Sequence, residues 1–127
     1  ARRYLTMSQA LPELPGIDQA EGLRRMMNKP QLYEKVLRDF YTRFVDETQL
    51  IRAAIDNGDL ISAERRAHSA KGLAGTISAR QWQEAAKQLE TALRDGDPSR
   101  ERLFAEFESE LNRVMGGIAR GFDLDRG

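Results

Sequence analysis

The sequence has no cysteine and only one histidine in 127 residues. Without thiols, disulfides, thiolate nucleophiles and zinc–cysteine sites are excluded. With one imidazole, a multi-histidine metal site within a single chain is excluded too, which leaves carboxylates as the only metal option. Net charge is also missing: 20 basic and 20 acidic residues cancel, so no global field draws the chain toward nucleic acid or a membrane. No apolar run approaches the roughly 20 residues of a membrane span, and no signal-peptide core is present. No glycine-rich phosphate loop precedes a helix, which argues against a nucleotide-using enzyme. No segment alternates apolar and polar residues over a useful length, so no strand is predicted.

What remains is a composition of 40% hydrophobic and 31% charged residues, suited to one globular domain. The chain starts at Ala1 rather than Met, as a processed product or a piece of a larger protein would. Residues 1–16, with "LPELPG", form an extended or turning lead-in. Asp18 and Glu21 have capping-box spacing for a short helix over about 19–27. Beyond Pro30, Tyr33, Val36, Leu37, Phe40 and Phe44 recur at helical spacing, and Leu50, Ile51, Ala54 and Ile55 continue it. This is one helix bent near 46–48 or two in succession. Gly58 ends it, and Asp59 caps a helix over about 60–77. Further helices are expected over 80–95 and 99–120, separated by "RDGDPS". Short turns between amphipathic helices predict an all-α, antiparallel four-helix bundle with a short additional N-terminal helix. The bundle is assigned to 17–121 and a frayed tail to 122–127.

The stretch "AHSAKGLAGTISA" holds the histidine. On a wheel advancing about 100° per residue, Lys71, Gly72 and Gly75 fall within about 60° of His68, while Ala63, Ala67, Ala70, Ala74 and Ile77 gather on the far side. The alanine side is expected to pack, so His68 faces out. An interior glycine costs about 1 kcal/mol against alanine, and an outward face needs none for packing. Gly72 and Gly75 therefore read as clearance that lets another surface approach the ring. Lys71, one turn on, is a cation placed to meet an anion carried by the imidazole. Nucleophile, cation and cleared space describe a phosphoryl-accepting site, since an imidazole is partly neutral at pH 7 and able to attack. The competing reading is a histidine without chemistry, and the lysine and glycines weigh against it.

These residues, "HSAKGLAGTISA", resemble the signature of histidine-containing phosphotransfer (HPt) domains: His, two residues, Lys-Gly, a small residue two further on, and a closing small-residue–Ala pair. The likeness covers most of the chain, through "LPGIDQAEGLRRM", "LYEKVLRDF", "NGDLISAERRAHSAKG" and "LETALRDGD". It implies a four-helix bundle in which His68 takes a phosphoryl group through Nε2 from a receiver-domain aspartyl-phosphate and passes it to another receiver aspartate. It implies that Lys71 neutralises phosphoryl charge and that Gly72 admits the receiver's loops. Mg²⁺ would belong to the receiver, and this chain would need no cofactor. The family often places Gln or Glu 22 residues after the histidine, bonded to Nδ1. That position is Glu90, with Gln88 as the alternative and an ordinary solvated glutamate as the competing reading. Ser78 stands where the family usually has glycine, and Ser69 and Ala70 where Thr and Leu are common. These departures touch packing and the helix end more than chemistry.

Trp82 shares an apolar stripe with Leu89 and Leu93 and is expected in the core. Met26 and Met27 are adjacent and cannot share a face. One is expected in the core, the other in an exposed apolar patch beside His68 where a receiver would dock. Arg65 and Arg66, one turn before His68, would add positive potential. The arginine pairs at 2–3, 24–25 and 65–66 sit among acidic residues and read as solvated faces rather than a nucleic-acid surface. Asp18, Asp59 and Asp97 read as caps and turn residues, not metal ligands. The expectation is a cytoplasmic, monomeric phosphorelay intermediate, not an enzyme by itself. Its partners would be receiver domains of response regulators or hybrid sensor kinases, and it would be a separate protein or the C-terminal part of such a kinase. Two other readings stay open: a helical adaptor without phosphotransfer, and a kinase phosphoacceptor domain phosphorylated directly from ATP.

Overall fold

The computed structural model describes residues 11–124. Residues 1–10 of the expected lead-in, with the arginine pair at 2–3, and residues 125–127 of the expected tail lie outside the described residues. Helices form at α1 (Gln19–Arg25), α2 (Pro30–Phe44), α3 (Glu47–Asp56), α4 (Leu60–Thr76), α5 (Arg80–Asp95) and α6 (Arg100–Gly121), with no strand among the described residues.

The helix ends follow local chemistry. Asp18 caps α1 by accepting from the Glu21 N–H at 3.1 Å. The expected capping box is only half made. Glu21 turns its carboxylate to Arg80 at 2.8 Å, and the Asp18 N–H donates to the Ser78 carbonyl at 2.9 Å. Asp59 caps α4 through the N–H and hydroxyl of Ser62. Gly58 and Gly96 take left-handed backbone (φ 74° and 65°) at the ends of α3 and α5. Two residues, 45 and 46, separate α2 from α3.

Packing closes a ring. The α2–α3 arm meets α4, α4 meets α5 along its length, α5 meets α6, and α6 returns to α2. The turns 57–59, 77–79 and 96–99 are too short for anything but antiparallel neighbours. Phe40, Phe44 and Phe107 surround the fully buried Trp82, with ring centroids 5.3, 5.9 and 5.8 Å away. Leu50 departs from expectation: it is 43% exposed, while Ile51 and Ile55 are buried. The stripe through Phe40, Phe44 and Ile51 places residue 47, not 50, on the inward side, so Glu47 is buried instead. It is held by Arg66 of α4 at 3.2 Å. Burial pushes the Glu47 carboxyl up, against the opposing pull of Arg66.

α1 is tied across the end of the bundle. Tyr33 donates its buried hydroxyl to the Ile77 carbonyl at 2.9 Å, and only glycine fits at 22, because a methyl there would coincide with that hydroxyl. Leu11 and Leu14 of the lead-in are buried in the core. At the other terminus, the described part of the expected frayed tail is anchored. Phe122 is buried and Leu124 packs on the core, its N–H donating to the Ala119 carbonyl at 2.8 Å. Two apolar side chains in three residues hold that segment where its glycines suggested fraying. Among the described residues no helix is long and apolar enough to cross a membrane.

The end of α4 has a Schellman pair: the Ala79 N–H donates to the Ala74 carbonyl at 2.8 Å and the Ser78 N–H to the Gly75 carbonyl at 3.2 Å. Ser78 therefore occupies the left-handed region, φ 64°, where glycine is free of steric cost. Ser78→Gly is expected to raise stability by about 1 kcal/mol and the thermal midpoint by about 3–5 °C, measured by circular dichroism. An unchanged or lower midpoint would mean that contacts of the buried Ser78 side chain offset the backbone cost.

Candidate functional site

Ala63, Ala67, Ala70, Ala74 and Ile77 are fully buried, so α4 packs on the side opposite His68. The His68 side chain is 65% exposed. Gly72 is exposed, and a Cβ built on it would meet nothing within 4 Å. Gly75 differs, because a Cβ there would meet the Gln83 amide of α5 at 2.5 Å. Open clearance beside the histidine therefore falls to Gly72, and Gly75 lies under a flexible side chain.

The α4–α5 contact sets the site's electrostatics. Glu90, on α5, is 7% exposed. One of its oxygens, Oε2, lies 2.8 Å from His68 Nδ1; the other, Oε1, lies 2.8 Å from Lys71 Nζ. Burial pushes the Glu90 carboxyl up, but hydrogen bonds and charge from Lys71 and His68 outweigh that and hold it below the ordinary carboxylate value. An ionised carboxylate only accepts. The contact with Nδ1 therefore requires the ring hydrogen there, and in the neutral ring the lone pair is on Nε2. Gln88 is exposed and bonds Glu84 at 3.0 Å, so Glu90 is the one that reaches the ring.

The remaining candidates are more scattered. Arg65 is exposed and lines an open cleft of about 370 Å³ with Arg43, Leu50, Ser62, Arg66 and Ser69. Arg66 is committed to Glu47. Met26 packs on the core, whereas Met27, in the α1–α2 turn, is 67% exposed. α1 is anchored through Asp18–Ser78 and Glu21–Arg80 at the far end of α4. That anchor is about 12–15 Å along the axis from His68. Among the described residues no group of three His, Asp or Glu side chains could hold a metal ion. Sequence reasoning missed the ion pair between Lys71 and Glu90. Its only sequence signal was the presence of both residues on facing helices, visible once the 22-residue offset to Glu90 is paired with Lys71's position one turn after His68.

The model of the family described as Hpt domain matches residues 35–117, a span that includes His68, Lys71, Gly72 and Glu90. No curated protein and no solved structure matches the chain.

The site's contribution to stability has a defined pH sign. Because Glu90's folded pKa lies below its unfolded value, its stabilisation is complete above the unfolded value, about 4.3, and is lost as pH falls through the lowered folded value. Glu90→Gln is expected to cost about 2 kcal/mol at pH 7, and the gap to the parent protein should narrow in acid. Urea unfolding at pH 7 and below pH 4 checks this; a gap that does not change with pH would contradict it.

Proposed function

The chain belongs to the Hpt domain family, whose members are phosphotransfer modules of phosphorelays that act with receiver domains, and on that premise we propose that His68 is its phosphoacceptor. The observation that carries this reading is the exposed imidazole whose Nδ1 is engaged by a buried, ionised carboxylate. The Nε2 lone pair attacks the phosphorus of a receiver aspartyl-phosphate. The bond between phosphorus and the aspartyl oxygen breaks, and the aspartate leaves as carboxylate with the electron pair. The phosphorylated ring gains positive charge, and Glu90, still accepting from Nδ1–H, offsets it. Passing the group to a second receiver reverses these bond changes.

Gly72 gives the receiver's backbone room beside the ring, which supports a role in approach rather than in folding. Arg65, exposed one turn before His68, and Met27 are the side chains of this chain offered to the docking partner. Mg²⁺ would be held by the receiver's carboxylates. This chain contributes the nucleophile and its orientation, so it is a stoichiometric carrier rather than an enzyme. A cytoplasmic location and a monomeric state belong to the same proposal.

Incubation with phosphorylated receivers is expected to label the wild type with an acid-labile, alkali-stable phosphate and to leave His68→Gln unlabelled. Label persisting in the variant would assign another acceptor. Label obtained only from ATP and a kinase catalytic domain would make the donor a kinase. No label from any donor would favour an adaptor. Gly72→Gln should retain the fold, since glutamine is the better helix former and meets no neighbour, yet slow transfer at least tenfold, an effect of about 1.4 kcal/mol on the barrier. Stopped-flow or rapid-quench transfer at wild-type rate in that variant would remove the clearance argument.

A further inference from the structure

We propose that the cleft between α3 and α4 binds a small phosphate monoester with an apolar body. Arg43, Arg65 and Arg66 take the dianion, and exposed Leu50 takes the body beside Phe44. The site stands apart from the reading of His68 and does not depend on it.

Charge is the first observation. Three guanidiniums line this cleft against one carboxylate, Glu47. Two positive charges are left over there, in a chain whose total is zero. A second open cleft, on α2, shows the ordinary arrangement. Its two cations are paired with its two carboxylates, Lys35 with Asp39 and Arg38 with Glu34. Arg43 and Arg65 have no such ion pair among the described residues. Both are exposed, and carboxylates act on them only through space, Glu47 on Arg43 and Asp59 on Arg65. Arg66 is partly spent. Both of its bonds to Glu47, at 3.2 and 3.3 Å, come from Nη1, and its Nη2 and Nε make no bond among the described residues.

The shape and lining narrow the ligand. A guanidinium fork matches two oxygens of a phosphate at once, and a monoester carries close to two negative charges at neutral pH, its second pKa being about 6. Ser69 adds an exposed hydroxyl as a further donor. Arg43 lies over the Phe44 ring, 5.5 Å from its centroid, which keeps its charge beside the apolar part of the cleft. Leu50 is 43% exposed there. An inorganic anion would leave that side chain wet, whereas a ring or short chain on the phosphate would cover it. About 370 Å³ lies at the small end of ligand clefts, so the body is small. Ser62, Ser69 and Arg66 sit about 100–160° round α4 from His68, in the sense opposite to Lys71. The cleft is therefore on the α3 flank of α4, and the Glu90 contacts are on the α5 flank.

The experiment is an NMR titration of the whole chain at fixed ionic strength and pH 7.5 with three probes: phenyl phosphate, inorganic phosphate and phenol. Phenyl phosphate is expected to saturate, with amide shifts centred on residues 43–50 and 62–69. Inorganic phosphate should bind the same residues about fivefold more weakly, and phenol should not bind. Arg43→Gln with Arg65→Gln should weaken both phosphates about tenfold or more. Leu50→Asn should remove the advantage of phenyl phosphate and leave inorganic phosphate unchanged. Lys35→Gln, in the paired cleft, should change nothing. All four positions are exposed, so the variants should keep the fold, which circular dichroism checks. Shifts that do not saturate, or an equal loss in Lys35→Gln, would reduce the binding to general charge screening and overturn the site. Equal affinity for the two phosphates in the wild type would overturn the apolar part of the ligand. Binding to phosphatidic acid vesicles with none to phenyl phosphate would make the ligand a lipid surface and overturn the proposal as stated.

Discussion

Four alanines, at 63, 67, 70 and 74, put almost no side-chain bulk on the packed side of α4, and all are fully buried. Small residues let helix axes approach closely, and α4 meets α5 along most of its length. Everything distinctive about the site follows from that closeness. Glutamate reaches only a few ångströms from its backbone, yet Glu90 of α5 contacts two side chains of α4 at once. A bulkier stripe on α4 would push α5 away and leave the imidazole and the ammonium pointing into water. Little of this helix's stability comes from strong intrinsic amphipathicity. It comes from lying between α3 and α5 and from the Tyr33 hydroxyl and the Schellman pair at its end.

The buried carboxylate is costly by itself, because desolvation opposes its charge. The fold compensates by giving each oxygen a nitrogen donor, and the net result is a carboxyl held in its ionised form. The same device appears once more on the opposite flank of α4, where buried Glu47 meets Arg66. There the balance differs. Burial outweighs the bond to Arg66 and the charges of Arg66 and Arg43, and the Glu47 carboxyl is pushed up rather than down. The two buried glutamates thus fall on opposite sides of one balance, desolvation prevailing at Glu47 and neighbouring donors and cations at Glu90. That contrast separates a carboxylate suited to hold a proton on a neighbouring ring from one that ties two helices together.

Much of the architecture is legible in the sequence because it is written locally. Asp59 as a cap, Gly58 and Gly96 as stops, and the apolar period of α2, α5 and α6 each need only a few adjacent residues. The orientation of His68 was legible too, because a 100° step fixes which residues share a face. Glu90 was reached through family resemblance, since no local pattern links positions 22 apart. What stayed hidden needs tertiary contact. Glu21 prefers Arg80 to its own backbone, Gly75 is covered by Gln83, and Gly22 exists for Tyr33. Leu50 is a different kind of miss: it is apolar and next to Ile51, but it sits about 120° off the stripe. There the identity of the residue outweighed its phase. Phe122 and Leu124 show the converse, where glycines suggested fraying and two apolar side chains decided otherwise.

Gly72 and Ser78 show how the chain distributes conformational cost around this site. Gly72 lies inside a helix, where glycine is the poorest ordinary choice, and no neighbour forbids a side chain there. Ser78 lies at the helix end, where glycine is the best choice, yet a Cβ-bearing residue is held at positive φ. Folding alone would favour the opposite assignment at both positions. At Ser78 the surrounding bonds enforce the conformation: its carbonyl receives the N–H of Asp18 and its own N–H completes the Schellman pair. At Gly72 no internal contact explains the residue. On the proposed reading of His68 as phosphoacceptor, a position that weakens its own helix without serving the packing is accounted for by a partner surface that approaches from outside, and the backbone it leaves uncovered is one turn from the imidazole.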